Sequence, residues 1–392
     1  MGPERRGTFV APPAESRESA GGSTEDSAGW PGSLALALGA RILCVAAALF
    51  TFLPAALAVA RPWHAPHRRP AEPAREQAAD LYASIVRDLG TDGGLFRDAN
   101  GDYAHAWPFS QALAAAIAVA AAPGADGRTG RTEVRRLVDL LPSYRAGTAY
   151  RDSVRPGGLH FFDDNEWLAL DLVDASQLLH DRTLLVRAER IFGWITSGWD
   201  ASAGDACRGG VYWANTPKVR DRNAVSTANG AVLALELYRA TSRPGYLAWG
   251  KRMYAWVRTC LADHDGLFFD HLDSRGRIDQ TKWAYNQGAM VAASTLLHTA
   301  TGSAAYLHDA TTLADAALRY FDSNGYTGQP AIFVAIFFRY LEVLDRDTPQ
   351  PRLAVALSRY VTTHEAAARP SGSELLDRAA SVQLAAMLAR VN

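Results

Sequence analysis

The sequence predicts an all-α fold built from helical hairpins, and three observations predict it. Strand-like alternation is missing over long stretches, whereas residues 110–122 (SQALAAAIAVAAA) form one continuous run of helix formers. Segments 166–180, 228–240 and 287–299 place apolar residues at three- and four-residue spacing, the period of one helix face. The chain also repeats itself. LYRATSRPGYLAWGKRMYAW (237–256) aligns with LHTATGSAAYLHDATTLADA (297–316) at a shift of 60 residues, so that Ala240, Thr241, Tyr246 and Leu247 fall on Ala300, Thr301, Tyr306 and Leu307. A looser copy, SQLLHDRTLLVRAERIFGWI (176–195), lies about 60 residues upstream. Each copy reads as a helix, a short polar turn and a second helix packed antiparallel to the first. At intervals of about 50–60 residues, the stretch 77–392 holds about six such hairpins. Closed into a ring, six hairpins make an (α/α)6 barrel; left open, they make a helical solenoid. Motif-rich loops between the repeat units favour the ring.

The residues before 77 read differently. Residues 1–41 are a disordered leader, rich in Gly, Ser, Pro, Glu and Ala over 1–32. The segment Ile42–Ala60 is apolar apart from Thr51 and Pro54, and it ends in small-x-small triplets, Ala56-Leu57-Ala58 and Ala58-Val59-Ala60. It reads as the apolar region of a cleaved signal peptide, with a retained membrane anchor as the alternative. Arg61, Arg68, Arg69 and Arg75 follow it, which disfavours an anchor with its N-terminus in the cytoplasm. Both readings put the domain outside the cytoplasm, as a secreted or cell-envelope protein. Residues 61–76 read as a linker and 77–392 as the barrel, expected to act as a monomer.

Charge excludes one class of partner. Forty basic residues balance 41 acidic ones, for a net charge of −1, so there is no electrostatic reason to expect nucleic acid. Ten Trp is high for this length and suits the stacking of sugar rings, although Trp also serves in cores. Of three cysteines, Cys44 lies in the apolar segment, leaving Cys207 and Cys260 in the domain. In an oxidising compartment these two are expected to pair, with two separate buried thiols as the alternative; without a supporting His cluster they make a poor metal site.

Four loops at helix beginnings carry the candidate chemistry. The first runs Gly158-Leu159-His160-Phe161-Phe162-Asp163-Asp164-Asn165-Glu166-Trp167. Two neighbouring carboxyls at a helix entrance, flanked by aromatics, suit a retaining glycosidase, which needs a nucleophile and an acid/base roughly 5–5.5 Å apart. The competing reading is a helix N-cap box made by Asp163 and Glu166. The second loop presents Tyr212 and Trp213 after Gly209-Gly210, then Asn223 at the next helix start. The third carries Asp270-His271, and the fourth Trp283, Tyr285, Asn286 and Gln287. Aromatic platforms beside amides fit sugar binding. Hairpin turns, helix caps and a satisfied buried Asp–His pair are the alternatives.

Together these four elements, FFDDNEWLALDLVDA, GGVYWAN with RNAVSTANGAVLALELY, DGLFFDH and WAYNQGAM, resemble glycoside hydrolase family 76, the endo-α-1,6-mannanase family. AIFVAIFFRYL (331–341) and LLDRAASVQLAAML (375–388) extend the likeness to residues 78–390. Phe162 stands where the family often has Tyr, and 342–375 lacks Trp. The resemblance implies an (α/α)6 barrel, an α-mannan substrate and a retaining mechanism with no metal or other cofactor. Carried over, Asp163 is the nucleophile and Asp164 the acid/base. Tyr212, Trp213, Trp283 and Tyr285 would wall the groove with Trp167 beside them, while Asn223, Asp270, His271, Asn286 and Gln287 would take hydroxyls. In such a barrel the inner helices start at one end, where their dipoles favour an ionised Asp163 and crowding leaves the proton on Asp164. Two other readings are a glycan-binding barrel without turnover, disfavoured by the intact Asp pair, and another sugar-active α/α-barrel enzyme such as an epimerase. The latter would bring His into the central motifs, where only His160 and His271 lie.

Overall fold

A computed structural model describes residues 71–98, 100–202 and 207–391. The expected leader 1–41 and apolar segment 42–60 lie outside the described residues. Among the described residues, no helix is long and apolar enough to cross a membrane.

Twelve α-helices are found among the described residues: α1 (Ala71–Leu89), α2 (Ala106–Ala120), α3 (Gly127–Leu140), α4 (Phe162–Leu178), α5 (Arg182–Ile195), α6 (Ala224–Thr241), α7 (Pro244–Cys260), α8 (Ala284–Thr301), α9 (Ala304–Ser323), α10 (Ala331–Asp347), α11 (Pro351–Thr363) and α12 (Glu374–Val391). The even-numbered helices pack each against the next, and α12 packs back against α2. This closure makes the ring and rules out the open solenoid. The odd-numbered helices lie outside, each in contact with two neighbours of the inner ring.

Sequence decides which helix goes where. Along α6 every residue from Ala224 to Leu235 is buried, and α8 is buried from Asn286 to Leu297. A helix that is apolar or small all round must sit inside. By contrast α3 buries only Val134, Leu137 and Val138, and α11 only Leu353, Leu357 and Tyr360. Such single-face stripes lie over a core with the other face in water. Small residues set the spacing of the ring: a Cβ at Gly288 would stand 3.0 Å from Phe337 Cα, so α8 and α10 approach closely there.

The repeat corresponds to the hairpins α4–α5, α6–α7 and α8–α9. Each turns through one residue in the left-handed region, His180, Ser242 and Gly302 respectively. One boundary moves. α1 begins at Ala71, inside the stretch 61–76 expected to be linker. Pro73 sits in the first turn, where a missing N–H is harmless, and Glu72 complements the helix dipole. Ala78 then packs on Ala385 and Ala386 of α12.

Inner helices all begin at the same end, and the loops that enter them are stitched together there. Two short strands, β1 (Arg145–Ala146) and β2 (Ala149–Tyr150), form a hairpin, while β3 (Arg222–Asn223), β4 (His271–Leu272) and β5 (Ile278–Asp279) form an antiparallel sheet in that order. Single bridges, Tyr212 to Arg222 and Phe161 to Ala214, continue the ladder to the entrance of α4. Cys207 and Cys260 form a disulfide with Cα atoms 5.8 Å apart, tying the loop before α6 to the end of α7.

That bond closes a loop of 53 residues, and by chain entropy such a closure stabilises by about 4 kcal/mol. The Cys207→Ser/Cys260→Ser variant should therefore be less stable by roughly that amount and unfold at lower denaturant. Urea denaturation with and without reductant measures it: the reductant should destabilise the wild type and leave the variant unchanged.

Candidate active site

α4 is launched by its neighbours. The Phe162 N–H donates to Trp213 O at 2.9 Å, and Asn215 N–H to His160 O at 2.9 Å. Asn165 fixes the first turn from inside: its Oδ1 accepts the Tyr150 N–H at 2.7 Å, and its Nδ2 donates to Tyr150 O and Phe161 O. Phe161 is the N-cap and offers no side-chain cap, so Asp163 and Asp164 both stand within the first turn. The N-cap box expected from Asp163 and Glu166 is therefore absent. Asp163 lies two positions past the cap, and Glu166 is buried in the barrel.

The Asp163 carboxylate turns to the next loop instead. Trp213 Nε1–H donates to Asp163 Oδ2 at 3.1 Å, while its ring packs 4.9 Å from Phe161. Opposite stands Asp270. His271 Nδ1 lies 2.9 Å from one of its oxygens, and Asn286 Nδ2 donates to the other at 3.2 Å. Tyr285 closes this side, its ring 4.2 Å from Phe333 on α10.

Charge at the site is dominated by burial. Burial raises the pKa of Asp163 to about 7, the charge of Asp270 adds to the rise, and the donors from Trp213 and two backbone N–H groups hold it back. For Asp164, burial, then the charge of Asp163, then that of Asp152 all push well above the usual range, and no donor opposes them. The two neighbours are thus unequal: donors favour a charge on Asp163, whereas burial and the neighbouring charges all favour the proton on Asp164. Burial pulls His271 down, but the bond to Asp270 and that residue's charge outweigh it, leaving its pKa raised. Tyr285, half-buried and facing the charges of Asp270 and Asp163, keeps its proton.

The structure brings Asp163, Asp164, Trp213, Asp270, His271, Tyr285 and Asn286 to one place. Asn223 is close by in β3, paired with His271 across the sheet and with its Oδ1 free of hydrogen bonds among the described residues. Trp283 is nearly buried as the N-cap of α8, edge-on to Phe333. Tyr212 has one ring face covered by the Arg220 guanidinium, 3.9 Å above it. Two expected contacts are corrected. Trp167 is 2% exposed and stacks on Tyr340 inside the barrel, because it sits one turn below the mouth. Gln287 is fully buried and spends its amide on backbone: it accepts from Phe268 N–H and donates to Phe268 O and Trp283 O. It shapes the loop and cannot reach a sugar. Sequence reasoning passed over Asp152, which acts on Asp164, and Phe333, which backs Tyr285; Asp152 carries no local motif, and Phe333 lies in the segment 331–341, which carries only the resemblance. Among the described residues, no group of three His, Cys, Asp or Glu is arranged to hold a metal.

A helical barrel with two unequal carboxyls at the start of an inner helix, walled by aromatics and amides, has the equipment of a glycoside hydrolase. The chain belongs to glycosyl hydrolase family 76, whose profile matches residues 74–374. Mannan endo-1,6-alpha-mannosidase from Saccharomyces cerevisiae is 31% identical over 132 residues, 30% of this chain and 28% of that protein. Its Candida albicans counterpart is 26% identical over 192 residues, 42% of this chain and 41% of that one. The alignments thus span less than half of these relatives. Among solved structures, the family 76 mannosidase from Bacteroides thetaiotaomicron has a TM-score of 0.70 at 22% identity, covering 81% of this chain and 98% of its own. An inactive variant of the alpha-1,6-mannanase from Salegentibacter, with two consecutive aspartates replaced by asparagine and alpha-1,6-mannotriose bound, has a TM-score of 0.69 at 23% identity, covering 81% and 100%.

The raised pKa of Asp164 fixes the sign of a stability effect. Folding favours its protonated form, so wild-type stability falls as pH rises above the unfolded value of 3.8. Asp164→Asn removes that loss. Its melting temperature should match the wild type at about pH 4 and exceed it at about pH 8. Calorimetry at both values checks this; a variant less stable at the higher pH would contradict the charge assignment.

Proposed function

We propose that this chain hydrolyses α-1,6-mannosidic linkages in mannan with retention of anomeric configuration, Asp163 acting as nucleophile and Asp164 as acid/base. The observation that carries this reading is the unequal support of the two carboxyls. Trp213 and backbone donors favour the charge on Asp163, while Asp164 has only neighbours that keep it protonated. In the first step Asp163 bonds to the anomeric carbon as Asp164 gives its proton to the departing glycosidic oxygen. In the second, a water molecule gives a proton to Asp164 and its oxygen to the anomeric carbon, and Asp163 is released. Protons balance over the cycle, and two inversions give net retention.

The other residues serve the sugar. Asp270 has both oxygens engaged by donors, and with His271 it offers a fixed polar edge for hydroxyls of the bound mannose. Trp213 and Tyr285 offer flat walls, and Trp283 packs with Tyr285 on Phe333. Asn223 and Asn286 each carry a carbonyl oxygen without a hydrogen-bond partner among the described residues, which could accept from a hydroxyl. The mannan substrate is supported by the relatives' names and by the mannotriose held by the Salegentibacter enzyme. A location outside the cytoplasm is supported by segment 42–60 and by the disulfide, which suits an oxidising compartment.

Incubation with α-1,6-mannan should release manno-oligosaccharides. Asp163→Asn and Asp164→Asn should each lower kcat by about a thousandfold or more while staying folded, with the helical circular-dichroism spectrum unchanged. An activated aryl mannoside, whose leaving group needs no proton, should restore the first step to the Asp164 variant and not to the Asp163 variant. Near-normal turnover by either variant on mannan would sink the assignment.

A further inference from the structure

A third carboxyl stands beneath the pair. Glu166 lies one helical turn below Asp163 on α4 and is fully buried in the barrel. Neither of its oxygens has a hydrogen-bond partner among the described residues, and the same is true of Asp163 Oδ1, which is also buried. The protein has made room for this group. On α6 the facing position is Gly230, where a Cβ would stand 3.3 Å from Glu166 Oε1. The adjacent Asn229 accepts from the Tyr340 hydroxyl at 2.8 Å, and its Nδ2 is without a partner. Helices α4, α6 and α10 thus converge on a polar spot directly under the nucleophile.

The protonation state follows from what surrounds it. On its own helix the charge that acts on Glu166 is that of Asp163. On α10 it faces Tyr340; Arg339 lies over the Trp167 and Tyr340 rings and draws on Asp171 rather than on Glu166. On α6, Asn229 and Gly230 are neutral. Among the described residues no cation offsets a charge here, and burial together with the charge of Asp163 holds the Glu166 carboxyl well above its usual range. A buried carboxylate would repel Asp163, whereas a carboxylic acid has a proton to donate where Asp163 Oδ1 lacks a donor.

We propose that Glu166 is a positioning residue for the nucleophile: a neutral carboxylic acid whose O–H, directly or across one water, fixes Asp163 through its Oδ1. This rests on the reading of Asp163 as nucleophile. It sets Glu166 apart from the catalytic residues, since it touches no sugar and transfers no proton.

The test uses the full chain carrying 13C-carboxyl aspartate. The Asp163 signal, assigned by its loss in Asp163→Asn, is titrated in the wild type, Glu166→Gln and Glu166→Leu. Gln keeps a donor and should leave the midpoint unchanged. Leu removes the donor and should raise the midpoint by about one pH unit, as loss of a hydrogen bond to a charged group requires. On mannan, the Leu variant should lose about tenfold in kcat with KM little changed, and Gln should retain activity. A wild-type midpoint in the Leu variant would overturn the proposal. So would a lowered midpoint in the Gln variant, because it would mean that Glu166 is charged in the native protein. Should the Leu variant fail to fold, infrared spectra decide. At neutral pH the wild type should show a protonated carboxylic C=O band that Gln removes, and a band unchanged by that substitution would refute the neutral acid. The titration needs no turnover. Inactivity of the wild type on mannan, with the titration as expected, would count only against the mannanase reading.

Discussion

The structure turns on one constraint: two carboxyls adjacent in sequence stand half-buried together at the start of an inner helix. Taking one carboxylate out of water is costly, and placing a second beside it is worse unless one stays protonated or donors compensate. α4 cannot supply all the donors itself, since its N-cap is Phe161. A decisive one, the indole N–H of Trp213, arrives from a loop 50 residues away. Everything that fixes this loop therefore fixes the charge on Asp163. The bridge from Phe161 to Ala214 sets its register against α4. Beneath it the buried pair of Arg222 with Asp200, 2.9 Å apart, and the bond from Arg222 to Cys207 O anchor the return strand. Gly209 and Gly210, both at positive φ, let the chain pass against Trp199 and Trp256, where a Cβ would come within 2.5 Å of the indoles. The disulfide then fastens the loop to α7.

Closure of the barrel serves the same end. The outer helices α3 and α5 begin with Asp caps, Asp126 and Asp181, which satisfy their first N–H groups. Inner helices α2, α4, α6, α8 and α10 have no side-chain caps. Their positive ends gather at the mouth, where the negative charge of Asp163 and Asp270 is held. Asp270 matters twice. It is braced by His271 and Asn286, and its charge adds to the rise in the pKa of Asp163. The site is thus a compromise in which part of the stability of the fold is given up to keep a charge and a proton side by side.

Much of this was legible in the sequence, for identifiable reasons. Hairpins showed because a helix pair repeats at a fixed interval, and Ala240-Thr241 with Ala300-Thr301 mark the same turn. Closure into a ring was not local information: it depends on α12 meeting α2, at opposite ends of the domain. The four loops were found because aromatics, amides and acids cluster before helices. Which of their side chains face a ligand was harder. Trp167 and Gln287 belong to the right motifs but point into the barrel and the loop backbone, since a helix turns by 100° per residue and motif membership does not record direction. The N-cap reading of Asp163 with Glu166 failed because Phe161 takes the cap, which places Asp163 at the mouth and Glu166 on the axis. Glu166 itself follows Asp163-Asp164-Asn165, and an acid in such a polar run is assigned to the surface or the cap by default.

The central claim is that a charge on Asp163 and a proton on Asp164 work in sequence on one sugar. Its most direct test is the configuration of the first product. Proton NMR recorded during the first minutes of α-1,6-manno-oligosaccharide cleavage, before mutarotation, should show the α-anomer at the new reducing end. First-formed β-anomer would mean that water attacks directly, which would contradict a covalent role for Asp163.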